Sequence, residues 1–266
     1  MSPVEIGLLI VAGVGAGVMN AVVGAGTLVT FPTLLFLGYP PVIANVSNTV
    51  GLVPGSVMAS IGYRATLRGR GPAVRRLLVA TSLGGVTGGA LLVLLPGRAF
   101  DVIVPWLLLL SAILAALQPR IAAAVALRRA ARGVGREDEA AGSGSASARP
   151  VSLGLFLGIT LTAVYGGYFG AAQGVILLVV LGLAFGGPIN ELNGMKNVVA
   201  GTANLVAALL FIAISEVDWA VAGIVAIGAT IGGGLGGRYG RRLPSSVLRV
   251  LLVGIALVAA AVRFAR

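Results

Sequence analysis

The polar groups able to do chemistry in this chain of 266 residues are few, and they fall in three places. Lys196, the only lysine, sits in an apolar run beside Asn193, Asn197 and Asn204. Charge inside a membrane segment is costly and usually functional, so Lys196 could offset the charge of an anionic substrate or pair with Glu191. Standing only a few residues from the start of its run, it could equally snorkel to the interface. An earlier apolar run carries the uncharged counterpart, Asn45, Ser47, Asn48 and Thr49. The third place is a pair of glycine-rich breaks, 20–26 and 166–174. Glycine lets the chain turn and lets a ligand approach the backbone. The half-helix after each break should begin with exposed N–H groups and the positive end of its dipole, an anion site by construction. Thr27 and Gln173 occupy equivalent starts and add donors.

The candidate substrate-binding residues are therefore Asn20, Gly24, Gly26 and Thr27 at the first break and Gly167, Tyr168, Gly170 and Gln173 at the second. Asn45, Asn48 and Thr49 join them from one flanking run, and Asn193, Lys196 and Asn197 from the other. A lone small-residue motif usually serves helix packing. Here the breaks recur in register beside polar residues, which points to a site.

The chain has no Cys and no His. That removes thiol chemistry, imidazole ligation of metals and every catalytic arrangement built on either residue. Asp101, Glu191, Glu216 and Asp218 all fall near the ends of apolar runs, so neither a paired-carboxylate hydrolase nor an acidic cation pathway has material. No catalytic residue, metal or cofactor is expected, and the chain is not read as an enzyme. What remains is donors and positive charge, which suits an anion.

The elements that must position these groups lie in a bilayer. Hydrophobic residues make up 58% of the chain and charged ones 10%, whereas a soluble domain carries about 25% charged residues. Eight hydrophobic segments are predicted, at roughly 5–37, 42–62, 75–95, 99–118, 151–185, 193–214, 217–237 and 245–264, each able to supply the ~20 apolar residues of a transmembrane helix. Barrel strands would alternate in polarity, and these runs do not. The N-terminus has no basic region ahead of its first apolar stretch, so a removed signal peptide is not expected. The net charge of +11 is read as loop arginines that set topology and meet anionic lipid, with no nucleic acid partner.

A linker at 119–150, Arg-rich and then running through AAGSGSASARP, has the composition of flexible coil and is placed in the cytoplasm. It separates two four-segment repeats, 1–118 and 151–266. Each opens with a long segment broken by glycine, follows with a Gly/Pro turn (38–41 and 185–188), and continues with an Asn-bearing segment. Duplicated halves with interrupted helices are a mark of secondary transporters. The fold class is thus an all-α polytopic membrane protein with segments one and five broken.

Arg64, Arg68, Arg70, Arg75 and Arg76 place the second inter-segment loop in the cytoplasm, and Arg238, Arg241 and Arg242 do the same for the seventh. Eight full crossings would put one of these clusters outside. If segments one and five enter and return on one side, the halves are inverted and every loop cluster lies inside, with Arg263 and Arg266 then outside. Broken backbone is tolerated within a membrane only inside protein or beside a water-filled cavity, so the tips of such segments are where a substrate would bind.

At NAVVGAGTLVTFPTLLFLGYPPVIANVSNTV (20–50) and GGYFGAAQGVILLVVLGLAFGGPINELNGMKNVVAGTANLVA (166–207) the chain resembles the sulfite exporter TauE/SafE family of permeases. The resemblance spans nearly all of the chain except the linker. Ala172 and Gln173 depart from it, standing where the family often has further glycine. The resemblance implies a permease for small sulfur-containing or organic anions, such as sulfite or sulfonates, in a bacterial inner membrane. It also implies a proton as coupling ion; a homo-oligomer is compatible with it. An anion channel and a non-transporting assembly subunit are the alternatives; a channel would give single-channel currents without saturable exchange.

Overall fold

The computed structural model describes residues 1–67, 71–131, 152–185 and 189–240, with 250, 253–255, 257 and 259 beyond them. Among these residues the structure is all helical. The α-helices are α1 (Pro3–Val22), α2 (Thr27–Phe36), α3 (Pro41–Gly62), α4 (Gly71–Leu94), α5 (Gly97–Ala131), α6 (Leu153–Tyr168), α7 (Gln173–Ala184), α8 (Ile189–Ile214) and α9 (Trp219–Tyr239). A 3-10 turn, Arg64–Leu67, follows α3. Six described helices (α1, α3, α4, α5, α8 and α9) are long and apolar enough to cross a membrane, while α2, α6 and α7 are shorter. Val11, Val79, Val102, Leu161, Leu209 and Ile227 are all more than half exposed, an apolar exterior that belongs against lipid rather than water.

Local chemistry sets the ends. Ser2 and Glu5 form a reciprocal capping box at the start of α1, with Pro3 in the first turn. Both first half-helices stop in the same way. The N–H groups of Val23 and Gly24 converge on the Met19 carbonyl, and those of Phe169 and Gly170 on Tyr165. Gly24 and Gly170 then take φ of +81° and +74°, a left-handed turn that a side chain resists. α2 ends where Gly38 and Tyr39 donate back to Leu35 and Leu34, and Pro40 and Pro41 open the next helix. Asp218 caps α9 through the Val221 N–H.

Helix direction follows from which residues touch. Gly228, Gly232 and Gly236 of α9 meet Gly13, Val14 and Val18 of α1 in turn, and Gly233 and Gly237 meet Gly55 and Gly62 of α3. These three helices therefore run parallel. Gly84 and Gly88 of α4 meet Thr160 and Val164 of α6, and Gly85 and Gly89 meet Ala203 and Ala207 of α8, which makes a second parallel set. The sets run oppositely, since Gly194 of α8 lies by Leu67 and Gly201 by Ser56. Each short helix doubles back on its predecessor: Val29 of α2 reaches Gly15, and Val180 of α7 reaches Gly158. Added methyls at Gly88 and Gly232 would overlap the carbonyls of Val164 and Val14; backbone contact between helices is the packing mode that small residues permit in lipid.

Several boundaries differ from the sequence expectation. The breaks are narrower than 20–26 and 166–174: Asn20 lies inside α1, Gly166, Gly167 and Tyr168 inside α6, and Gln173 and Gly174 inside α7. Helix propagation continues until a glycine turns left-handed, and only Gly24 and Gly170 do so at the breaks. Segment four does not stop at 118, because the Ala-, Leu- and Arg-rich run up to Ala131 is a good helix former and continues α5. The rest of the linker, the turn at 186–188, Arg68, Arg70, Arg241, Arg242, Arg263 and Arg266, and most of segment eight lie outside the described residues.

Candidate functional site

The two breaks touch. Gly174, in the first turn of α7, donates its N–H to the Gly24 carbonyl at 3.0 Å, and the two Cα positions approach so closely that neither residue could carry a methyl. The starts of α2 and α7 thus converge on one junction, from opposite directions.

The ends of the preceding helices are held by side chains from the opposite half of the chain. An α-helix leaves its last carbonyls without partners. Lys196 Nζ donates to the carbonyls of Asn20 at 3.3 Å and Ala21 at 3.1 Å, and Asn197 Nδ2 donates to Ala21 at 3.1 Å. On the other side, Asn45 Nδ2 donates to the Tyr168 carbonyl at the end of α6 at 3.0 Å. The two junction ends differ in one respect that matters: the α1 end has a cation and the α6 end has a neutral amide. Lys196 is fully buried, and among the described residues it is the one charged side chain that is. Full burial rules out snorkelling. An ammonium has three donors, and two are committed to the α1 carbonyls.

The neighbouring polar groups are arranged around this junction. Asn20 Nδ2 donates to Ser56 Oγ at 3.0 Å. Thr30 Oγ1 donates to Asn48 Oδ1, which leaves Asn48 Nδ2 and Asn45 Oδ1 buried without a partner among the described residues. Gln173 lies over Gly166 and donates to the Thr162 carbonyl at 3.4 Å. Ser111 of α5 clamps the second break, donating to the Ala171 carbonyl at 3.1 Å while meeting Tyr165 Oη at 2.9 Å. Phe169 packs edge-on to Phe31 at 5.2 Å between ring centres, and Phe100 does so to Tyr168 at 5.6 Å. These rings cover the junction toward the end of the bundle where α5 begins.

The two half-helix starts are alike in most respects. The N–H groups of Ala25 and Gly26 ahead of α2, and of Ala171 and Ala172 ahead of α7, donate to none of the described residues. Val29 and Val175 close matching turns on the Gly26 and Ala172 carbonyls. The starts differ at two positions: Gln173 donates to Gly170 where Thr27 donates to none, and Gly174 donates across to Gly24 where Leu28 donates to Ala25.

Of the residues singled out from sequence, Asn20, Gly24, Gly26, Thr27, Asn45, Asn48, Tyr168, Gly170, Gln173, Lys196 and Asn197 belong to elements that meet here. Thr49 spends its hydroxyl on the Asn45 carbonyl of its own helix. Gly167 packs against Gly85 and Gly89 of α4. Asn193 stands in a separate cleft beside Gln118. Sequence reasoning did not single out Ser111, Tyr165, Ser56, Thr30 or the phenylalanines. Ser111 carried a signal, as a hydroxyl in the otherwise apolar run WLLLLSAILAAL; the rest needed the fold.

A sequence profile of the family described as Sulfite exporter TauE/SafE matches residues 9–263. Similar proteins include the probable membrane transporter protein ORF9 of a Sinorhizobium species, 25% identical over 257 residues, covering 96% of this chain and 90% of that protein. A probable membrane transporter protein of Haemophilus influenzae is 24% identical, with 92% of this chain and 89% of that one covered. The probable membrane transporter protein YfcA of Escherichia coli strain K12 is 24% identical, with 98% and 90% covered. No solved structure gives a significant match.

Proposed function

The chain belongs to the sulfite exporter TauE/SafE family, a multi-pass membrane transporter, and from that premise we propose that it moves small anions by alternating access, sulfite and sulfonates among them. The observation that carries the reading is the meeting of both breaks at the Gly24–Gly174 contact beside a buried cation, Lys196. A positive charge, free N–H groups ahead of both short helices and nearby amides and hydroxyls favour an anion and disfavour a cation. Of the candidate residues, Thr27, Asn48 and Lys196 are assigned to the substrate directly. Gly24, Gly26 and Gly170 shape the backbone, Asn45 and Asn197 hold the helix ends, and Gln173 ties the start of α7 to the body of α6.

The same proposal takes the two halves as inverted repeats placed in a bacterial inner membrane, with α1–α2 and α6–α7 as re-entrant hairpins. Its support is directional. α1 and α3 start at one end of the bundle, α6 and α8 at the other, and Arg64, Arg75, Arg76 and Arg238 share one end while Glu216 and Asp218 occupy the opposite one. The basic end is then cytoplasmic. Because the chain has no cysteine, single substitutions report side unambiguously. Arg64→Cys is expected to resist an impermeant thiol reagent added to intact cells, and Glu216→Cys to react. The reverse pattern would overturn the orientation.

Function is tested with the purified protein in proteoliposomes. Saturable uptake of labelled sulfite or a labelled sulfonate is expected, and a pH gradient is expected to drive it if the coupling ion is a proton. No flux of any of several sulfur anions, with or without a gradient, ends the anion-transporter reading; steady single-channel currents would make it a channel.

A further inference from the structure

We propose that Lys196 is a tethered substitute for a coupling cation: its ammonium fills, at the carbonyl end of α1, the position that a free sodium ion would otherwise take, so transport needs no sodium. This rests on the transporter reading above. The first break makes the position. Val23 and Gly24 both turn their N–H groups back to the Met19 carbonyl, and the Ala25 N–H donates to none of the described residues. The carbonyls of Asn20 and Ala21 are thereby left without backbone donors, at the negative end of a 20-residue helix. In transporters with interrupted helices, carbonyls so exposed coordinate the coupling sodium ion. Here Lys196 Nζ reaches both, at 3.3 Å and 3.1 Å.

Capping alone does not call for a charge. The matching end of α6 is held by neutral groups: Asn45 Nδ2 donates to the Tyr168 carbonyl, and the Ser111 hydroxyl donates to Ala171 just beyond it. At the α1 end a neutral donor is also at hand, since Asn197 Nδ2 donates to Ala21. Lys196 is nevertheless fully buried, and among the described residues it forms no ion pair with a carboxylate. Burying a charge in this way costs far more than burying an amide. The charge itself is therefore what the position requires, and the substrate anion supplies the counter-charge that the protein does not.

The surroundings are those a free cation would select: backbone oxygens at a helix end, out of contact with water, with no fixed anion. The tether changes one property. A free ion leaves its site as its concentration falls, whereas a side chain anchored on α8 is present at all times. Truncation of Lys196 to alanine keeps both carbonyls and opens a space of the shape of a propylammonium ion, which methylammonium or sodium can enter.

The test pairs labelled-sulfite flux in proteoliposomes with thermal melting of the purified protein. Both are run in N-methylglucamine chloride, whose cation is too large for the space, and with sodium or methylammonium replacing it at constant ionic strength. The native protein is expected to transport equally, and to melt at one temperature, in all three salts. Lys196→Ala should lose about a hundredfold in N-methylglucamine, and methylammonium or sodium should restore at least about tenfold. At about ten times its Kd, the rescuing cation should also raise the melting temperature of the variant by about 4 °C. Native flux that collapses without sodium would overturn the proposal. So would full flux in Lys196→Ala without a small cation, or neither rescue nor a melting shift in that variant. Lys196→Gln covers a misfolded alanine variant: it fills the space without the charge and should stay impaired in every salt. Wild-type flux in Lys196→Gln would show that the charge is not needed and would sink the idea. Absence of sulfite flux in the native protein would remove the transporter reading, while a melting shift confined to Lys196→Ala would still establish the cation position.

Discussion

Lys196→Met is expected to lower anion transport about a hundredfold while changing stability only modestly. A unit charge about 6 Å from an anion, at an effective dielectric constant of ~20, contributes about 3 kcal/mol, which is roughly that factor. Stability is the sum of two opposed changes. The carbonyls of Asn20 and Ala21 lose the ammonium donor, which costs about 1–3 kcal/mol for each group left unpaired. Ala21 keeps its bond from Asn197, so the loss falls mainly on Asn20. Against it, removing a fully buried cation relieves a desolvation penalty of several kcal/mol. Near-cancellation is the expected result, and thermal melting in detergent measures it. Lys196→Gln separates the two roles, since it keeps N–H donors for the carbonyls and drops the charge. If Lys196→Met fails to transport and Lys196→Gln transports normally, the residue is a helix cap and nothing more. If both transport as wild type, the substrate does not use the cation.

Gly24→Ala is expected to abolish transport and lower the melting temperature by about 10 °C. Two terms add. A left-handed residue other than glycine costs about 1–2 kcal/mol, and φ at Gly24 is +81°. Overpacking adds about 1–3 kcal/mol, because the methyl would be driven into the backbone of Gly174 rather than into a flexible side chain. A loss of about 3 kcal/mol or more corresponds to that shift for a chain of this size. Relief requires the two breaks to separate, which breaks the Gly174 N–H to Gly24 carbonyl bond and pulls the starts of α2 and α7 apart. Gly38→Ala is the internal control. Gly38 has a similar φ of +87°, yet nothing lies within 4 Å of an added methyl. It should show the conformational cost alone, about 1–2 kcal/mol, with transport retained. Equal melting shifts in the two variants would show that the contact between the breaks carries no energy of its own.

The long apolar helices were legible in the sequence because hydrocarbon surroundings demand long apolar runs, and no tertiary detail changes that demand. The two interruptions were legible for a related reason, since clustered glycines weaken a helix and free the backbone to turn. Their extent was not. Gly26, Gly166 and Gly167 look like Gly24 and Gly170 in sequence. The first three sit where helices or side chains approach closely, and the last two turn the chain. Which role a glycine takes depends on what lies opposite, and that partner often comes from a distant part of the chain. α5 ran past its expected end for a local reason that propensity could have supplied, the Ala-rich stretch after Pro119.

Lys196 marks the division most sharply. Sequence alone established that a single lysine stands inside an apolar helix with asparagines around it, in a chain with no His, no Cys and few carboxylates, a set of groups suited to holding an anion. It left open whether that lysine reaches the interface or stays inside. The answer depended on the end of α1, whose carbonyls lie 175 and 176 positions away in the chain. A helix end with unpaired carbonyls draws a cation only if folding brings the two together, and periodicity contains no record of that. For the same reason the meeting of Gly24 with Gly174 belongs to the tertiary structure alone. Composition dictated the solvent; contact between distant segments decided where the charge stands.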